Sequence, residues 1–247
     1  MPIEIGRIEA IYRYPVKSMR GEACESVALG WHGLDGDRRF AFRKLGDRGG
    51  FPWLSAGRLP QLVLFAPQRS GDVPHPAHVR TPDGEVLPIF GEDLATQVES
   101  RCGVPVQMMQ LNHGIFDEAN ISVITTDTVR EIGRLADLEI DARRFRPNIV
   151  VRTLQPIPFA EDAWVGSALS FGSESDAPAV AVTQRDVRCP MVNIDPDTAA
   201  RTPEVLKAVA RANDNNAGIY VTVTRTGRLA VGQPVYLSGS ADVLDRR

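Results

Sequence analysis

Ala179-Val180-Ala181-Val182-Thr183 is an apolar run of strand length, and it leads into Arg185-Asp186-Val187-Arg188-Cys189-Pro190-Met191-Val192-Asn193-Ile194-Asp195-Pro196-Asp197-Thr198. Short length, β-branched content and a proline at the far end read as a strand that stops rather than a helix that continues. The segment beyond it is rich in turn residues, so the cysteine between Arg188 and Pro190 is expected on a loop, where chemistry is usually presented. An adjacent guanidinium favours the thiolate, which is the form of cysteine that attacks electrophiles and binds metals. From this stretch alone a second reading stands beside the first: a small buried hydrophobe, which free cysteine often is.

The same pattern of short strand and sharp stop recurs through the chain. Ile3, Ile5, Ile8, Ala10 and Tyr12 alternate with polar residues and end at Tyr14-Pro15-Val16-Lys17-Ser18-Met19-Arg20-Gly21. Further strands are expected at Glu25 to Leu29, Phe40 to Arg43, Leu59 to Phe65, Pro105 to Leu111, Ile121 to Ile124, Ile149 to Val151, Tyr220 to Thr224 and Val235 to Leu237. Pro82-Asp83-Gly84 makes a hairpin turn between His78 and Val86. Asp162 to Trp164 precedes a hairpin or paired strands expected up to Phe171. Three helices fit the longer-period stretches: Asp93 to Cys102, Asp127 to about Leu138 capped by Thr125 or Thr126, and one opening at Pro203. Asn213 to Gly218 reads as a loop, as does the irregular stretch from Asn112 to Asn120. The 21 glycines and 18 prolines punctuate the 247 residues at short intervals, and strands do not alternate regularly with helices. The expected fold is therefore mainly β, a β-rich α+β chain whose sheets close on themselves as barrels with a few peripheral helices.

Composition removes several function classes. A net charge of -3 gives no overall electrostatic footprint for nucleic acid. No run approaches the length of a membrane span, and the N-terminus has no apolar signal region, so a cytoplasmic location is expected. Cys24, Cys102 and Cys189 are far apart, which is neither a disulfide framework nor a zinc ribbon. Neither a dinucleotide-binding nor a P-loop glycine pattern is present. What recurs is a basic or amide-bearing cluster at strand ends: Lys17 with Ser18, Arg38 with Arg39, Arg146 with Asn148, and Arg188 beside Cys189. In a closed β structure such junctions gather on one rim, where guanidinium and ammonium groups make an anion site, most simply for phosphate. A lone soft thiolate on that rim cannot hold zinc by itself, so a metal there arrives with most of its ligands already attached.

These residues resemble the MOSC proteins, whose domain is shared by molybdenum cofactor sulfurases and the mitochondrial amidoxime-reducing component. Tyr14-Pro15-Val16-Lys17-Ser18 with Gly21, and Gly36-Asp37-Arg38-Arg39-Phe40, resemble motifs of the family's N-terminal β-barrel domain. Phe145-Arg146-Pro147-Asn148-Ile149-Val150, followed by Phe159 and Glu161-Asp162-Ala163-Trp164, resembles the core of the MOSC domain. Arg188-Cys189-Pro190 with Asp195-Pro196-Asp197-Thr198 resembles its metal-binding segment, and Gly218-Ile219-Tyr220 and Val231 to Val235 its ending. The resemblance implies an N-terminal barrel domain over 1–112 packed on a MOSC barrel over 113–240. It implies a molybdenum cofactor (molybdenum–molybdopterin) with Cys189 as thiolate ligand. Lys17, Ser18 and Arg38 would bind the pterin and its phosphate, Arg146 and Asn148 would bind from the MOSC side, and Arg188 and Tyr220 would complete the wall. Asp162 matches a position that faces the metal centre in relatives and is carried over as a second catalytic candidate. The loop from Asp117 to Thr126 departs from the family, with Asn120 where a proline is usual, and receives no role.

The activity implied is reduction of small N-hydroxylated compounds, amidoximes or hydroxylamines. No four-cysteine spacing for an iron–sulfur cluster is present, so electrons would come from a separate ferredoxin- or cytochrome b5-like donor and its reductase. The alternatives are a cofactor carrier without turnover and a sulfur-transfer protein with a persulfide on Cys189. No pyridoxal-phosphate domain is present to generate that sulfur, which ranks sulfur transfer last.

Overall fold

The computed structural model describes residues 2–239 except 70, 72, 74, 113 and 115–117. Its main feature is a closed barrel of seven strands. In chain order the N-terminal half provides β1 (Ile3–Arg13), β2 (Glu22–Ala23), β3 (Ser26–Gly30), β4 (Gly33–Leu34), β5 (Phe40–Lys44), β6 (Ala66–Arg69), β7 (Pro76–Arg80), β8 (Val86–Pro88), helix α1 (Glu92–Cys102) and β9 (Val106–Gln110). The C-terminal half provides β10 (Ile121–Thr125), helix α2 (Thr126–Ala136), β11 (Ile149–Thr153), β12 (Ala168–Phe171), β13 (Ala179–Val187), helix α3 (Glu204–Asn213), β14 (Asn216–Arg225), β15 (Gly227–Ala230) and β16 (Pro234–Ser238). The barrel runs β11-β10-β14-β13-β12-β16-β1, and pairing of β1 with β11 closes it. Closure leaves no edge with unpaired N–H and C=O groups, which is how a strand-rich chain avoids edge-to-edge association.

Alternation along the strands fills the barrel. Ile8, Ile11, Ile121, Val123, Ile149, Val151, Leu169, Phe171, Val180, Val182, Ile219, Val221 and Val235 are all buried in one core. β10 and β11 are the barrel's parallel pair, and α2 is the crossover that a parallel connection requires. Thr125 caps α2, its side chain accepting a hydrogen bond from Thr128 N. The helix buries Val129 and Ile132 against Val205, Ala208 and Val209 of α3 in a smaller core outside the barrel. A further core gathers Phe40, Phe42, Leu54, Leu62, Phe65, Leu94, Val106 and Met108 between α1 and the small sheets β5-β9 and β6-β7-β8. Strand pairing crosses residue 112 in both directions: β1 closes the barrel, and β15 adds to β3 and β4.

Several expected elements change form. Leu59 to Phe65 is not a strand; Pro60–Leu64 is a 3-10 turn that buries Leu62 and Val63. A short apolar run does not distinguish the two forms, and a proline at the first helical position favours the helical one. The second helix ends at Ala136 because Asp137 takes a left-handed conformation, with φ 56°. Ala160–Trp164 is a 3-10 turn, and only Ala168–Phe171 of that region pairs as a strand. β13 continues through Val187, and β14 begins at Asn216, so both reach into residues expected as loop. The stretch Asn112 to Asn120 and the loop opening at Asp117 lie partly outside the described residues.

Candidate functional site

The extension of β13 decides how the Arg188–Cys189 pair is presented. Side chains alternate along a strand, so Asp186 and Arg188 turn inward and are buried, while Arg185, Val187 and Cys189 turn outward and are exposed. The chain then breaks at Pro190, and Pro190–Asn193 forms a 3-10 turn with Cys189 as its first flanking residue. Asn215 clamps the peptide from both sides. Its carbonyl accepts from Arg188 N at 2.7 Å, and its Nδ2 donates to the Arg188 carbonyl at 2.5 Å. The thiol thus sits on a rigidly held turn and is open to solvent.

The guanidinium of Arg188 is turned away from that thiol. Its Nε donates to the Ala217 carbonyl at 2.6 Å, and its Nη1 donates to the Phe145 carbonyl at 2.8 Å. Its Nη2 pairs with Asp186 at 2.8 Å. Asp186 also accepts from Ser122 Oγ at 2.8 Å and bonds the Tyr220 side chain. Burial pushes the Asp186 carboxyl up, against the opposing pull of Arg188. Burial also pushes the Tyr220 hydroxyl well above its ordinary range. Gly218 makes this packing possible. A Cβ there would lie 2.6 Å from the Val123 carbonyl and 3.0 Å from Arg188 Nη2, and the residue has φ +82°.

A second cluster is built where the motifs around residues 14–20, 36–40 and 145–149 meet. Arg38 Nη1 donates to Asn148 Oδ1 at 3.1 Å, Arg38 Nη2 donates to the Arg146 carbonyl at 3.1 Å, and Asp37 pairs with the same guanidinium. Burial opposes the charge on Arg38, but Asp37 outweighs it and holds the guanidinium ionised. Arg146 Nη1 donates to the Met19 carbonyl at 2.8 Å, which ties the second motif set to the turn bearing Lys17 and Ser18. Both guanidinium groups lie over the buried Tyr14 ring, Arg146 at 4.1 Å and Arg38 at 5.1 Å from its centroid. Lys17 is buried, with its Nζ 5.1 Å from the centroid of the Phe51 ring. Ser18, Arg38 and Arg146 all adopt left-handed backbone, with φ 66°, 47° and 50°. Such conformations cost about 1–3 kcal/mol each and concentrate where geometry is used rather than merely tolerated.

Asn148 joins the two clusters. Its Oδ1 accepts from Ser122 N at 3.2 Å as well as from Arg38, and its Nδ2 donates to the Tyr12 carbonyl at 3.2 Å. Ser122 then leads to Asp186, Arg188 and Tyr220. Arg38, Arg146, Asn148, Arg188 and Tyr220 are thereby joined in one network, and Lys17 and Ser18 lie on the turn whose Met19 carbonyl Arg146 contacts. Asp162 stands apart from this network. Its Oδ2 accepts from Asn213 Nδ2 at 2.8 Å and lies 3.5 Å from Arg185 Nη1, while its buried Oδ1 has no partner among the described residues.

Sequence reasoning passed over Tyr14, Asp37, Ser122, Asp186 and Asn215. Asp186 carried a signal, since its spacing of two from Arg188 on a strand puts both on one face. Asn215 carried none, because its role depends on how α3 delivers the chain to β14. The donor set agrees with a metal that arrives inside an organic cofactor. Among the described residues no group of three His, Cys, Asp or Glu side chains could hold a metal ion, yet one exposed thiol stands ready. The buried Tyr14 hydroxyl, whose ring lies under Arg38 and Arg146, has no hydrogen-bond partner among the described residues.

Residues 110–236 match the MOSC domain, and residues 5–121 match the MOSC N-terminal beta barrel domain. Mitochondrial amidoxime-reducing component 1 of Danio rerio is 29% identical over 129 residues, covering 49% of this chain and 37% of that protein. The chain thus matches well under half the length of this relative. The crystal structure of the YUAD protein from Bacillus subtilis superposes with a TM-score of 0.53 at 15% identity, covering 97% of this chain and 99% of that one, a likeness of fold.

Proposed function

The chain belongs to the MOSC family, and from that membership we propose that it binds a molybdenum cofactor on the Arg38–Asn148–Arg146 wall and reduces small N-hydroxylated compounds. The observation that carries the proposal is the exposed Cys189 thiol on a clamped turn, next in sequence to Arg188, whose guanidinium connects through buried Asp186, Ser122 and Asn148 to that of Arg38. When bound, the cofactor supplies a two-electron centre able to take oxygen from an N–O bond, a capability no side chain has.

The protein's own groups bind and orient. Arg38 and Arg146, with Lys17 and Ser18 in the adjoining turn, supply charge and hydrogen bonds to a phosphate-bearing pterin. Their left-handed backbones and the Tyr14 ring fix those donors before a ligand enters, so little ordering cost remains on binding. Arg188 acts from within. It ties the end of β13 to the Phe145 and Ala217 carbonyls and so sets where Cys189 emerges. Cys189 is the proposed metal ligand. Asp162, which stands apart from the Arg38–Asn148–Arg188 network, is proposed only as a second catalytic candidate; the reduction itself consumes two protons and two electrons and releases water.

Electrons are proposed to come from a separate donor protein and its reductase. Among the described residues no helix is long and apolar enough to cross a membrane, and a cytoplasmic location remains part of the proposal. The test is metal analysis after expression in a cofactor-competent host. About one molybdenum per chain is expected for the native protein, and a marked loss for Cys189→Ala. Equal molybdenum in both, or none in either, refutes the assignment. Metal-loaded protein that turns over no hydroxylamine or amidoxime with a chemical reductant points instead to a carrier. A persulfide mass shift on Cys189 after incubation with a sulfur donor points to sulfur transfer.

A further inference from the structure

We propose that the cleft between β1, α2 and residues 138–141 binds a small cationic amphiphile, an apolar body bearing one primary ammonium or amidinium group. The cleft has a volume of about 490 Å³ and none of the residues assigned to the cofactor lines it. That volume lies within the range of natural small-molecule sites, about 300–1,000 Å³.

Two backbone devices build the cleft. The pairing of β1 with β11 shifts register between Ile8 and Ala10, which makes Glu9 the extra residue of a bulge. Bulges re-aim a side chain, and here the Glu9 carboxylate leaves the barrel and accepts from Thr126 Oγ1 at the first turn of α2 and from Arg152 at 2.7 Å. On the other side, Gly133 lets the chain after α2 fold back across the helix. A Cβ there would meet the Leu138 carbonyl at 2.8 Å and Ile140 Cγ1 at 3.2 Å. Leu138 N in turn donates to the Gly133 carbonyl at 3.0 Å. The result is a cleft lined by Ala10, Val129, Ile140 and Val150, with the exposed Leu138 at its mouth.

Charge around the lining selects the ligand. Glu9 is held ionised by its hydrogen bond from Arg152. Asp141 is held ionised by Arg143, whose hydrogen bonds outweigh the effect of burial. Arg130, at the rim, lies 3.6 Å from Asp127. Each of these groups has an ionic partner, Arg143 being shared between Asp141 and Asp197. Glu139 is exposed at the mouth and has no ion-pair or hydrogen-bond partner among the described residues, so the lining carries an uncompensated negative charge above an apolar floor. The half-buried Tyr12 phenol adds a hydrogen-bonding group. A cation at Glu139 with its hydrocarbon on Val129 and Val150 satisfies both features, whereas an anion satisfies neither.

The test titrates the full chain with 4-phenylbutylamine, 4-phenylbutanol and 4-phenylbutyrate, followed by calorimetry and amide chemical shifts. The amine is expected to bind saturably with shifts centred on Val129, Gly133 and Ile140. The alcohol is expected to bind about two- to fivefold more weakly, the span of an exposed ion pair, and the carboxylate more weakly still. Glu139→Gln should weaken the amine by about two- to fivefold, the span of an exposed ion pair, and Glu139→Lys by more. Ala142→Trp, which fills the cleft, should abolish binding; its melting curve reports whether it folds, and the Glu139 variants carry the test if it does not. No saturable amine binding up to about 10 mM, equal binding of amine and alcohol, or unchanged affinity in Glu139→Lys overturns the proposal.

Discussion

Replacing Arg188 by methionine tests the claim that this guanidinium is spent on the fold rather than on the thiol beside it. Asp186 and Arg188 side chains are only 2% and 7% exposed and lie 2.8 Å apart. Removing one member of a buried pair leaves the other charge uncompensated and costs about 3–5 kcal/mol. The Phe145 and Ala217 carbonyls also lose their Arg188 donors. A domain of this size loses about 2–4 °C per kcal/mol, so Arg188→Met is expected to melt roughly 6–20 °C below the native protein at neutral pH, in circular dichroism with no cofactor added. The double variant Arg188→Met with Asp186→Asn removes the stranded charge while keeping an acceptor for Ser122, and should recover at least half the loss. The pH dependence has a definite sign. The folded Asp186 carboxyl titrates above its ordinary 3.8, so its contribution is fully present below 3.8 and is lost as pH rises through the folded value. Without Arg188 the folded value rises further, and the deficit of Arg188→Met should shrink as pH falls from about 7.5 to 5.5. A single variant that melts within about 2 °C of the native protein, or a double variant no more stable than the single one, refutes the reasoning.

Gly218→Ala and Gly232→Ala compare steric with conformational cost, since both residues have φ +82° but only Gly218 is crowded. Gly232→Ala should lose about 1–2 kcal/mol for the left-handed backbone alone; Gly218→Ala should lose clearly more, and equal losses in chemical denaturation would show that the contact with Val123 and Arg188 does not matter. Glu161 is fully buried, accepts from Thr125 Oγ1 and Thr128 Oγ1 at 2.9 Å each, and is pushed above its ordinary 4.5 by burial. Its contribution is present below 4.5 and is lost as pH rises through the folded value, so Glu161→Gln should gain stability relative to the native protein between pH 4.5 and 7.5; a difference that stays constant across that window contradicts the assignment.

Much of this protein was already decided by local chemistry. β-branched runs broken by glycine and proline dictate short strands, and strands without regular helices between them dictate sheets that close. The barrel and its three helices follow from that, as does the presentation of Cys189 on a turn after a strand, because Pro190 has no N–H with which to extend the ladder of β13. The candidate residues could also be picked out one by one, because each basic cluster stands where a strand begins or ends. What the sequence could not decide is which cations face a ligand and which are consumed by the protein. Arg188 looked like an activator of its neighbour, but strand alternation and the gap at Gly218 turn it inward to Asp186 and two carbonyls. Arg38 and Arg146, 108 residues apart, meet only because β1, β10 and β11 lie side by side in the barrel. The bulge at Glu9 and the cleft behind it depend on register between β1 and β11, which are joined by more than a hundred residues of intervening chain. Propensity and pattern act over a few neighbours along the chain. The direction in which a buried charge points depends on partners that only closure of the barrel brings within reach.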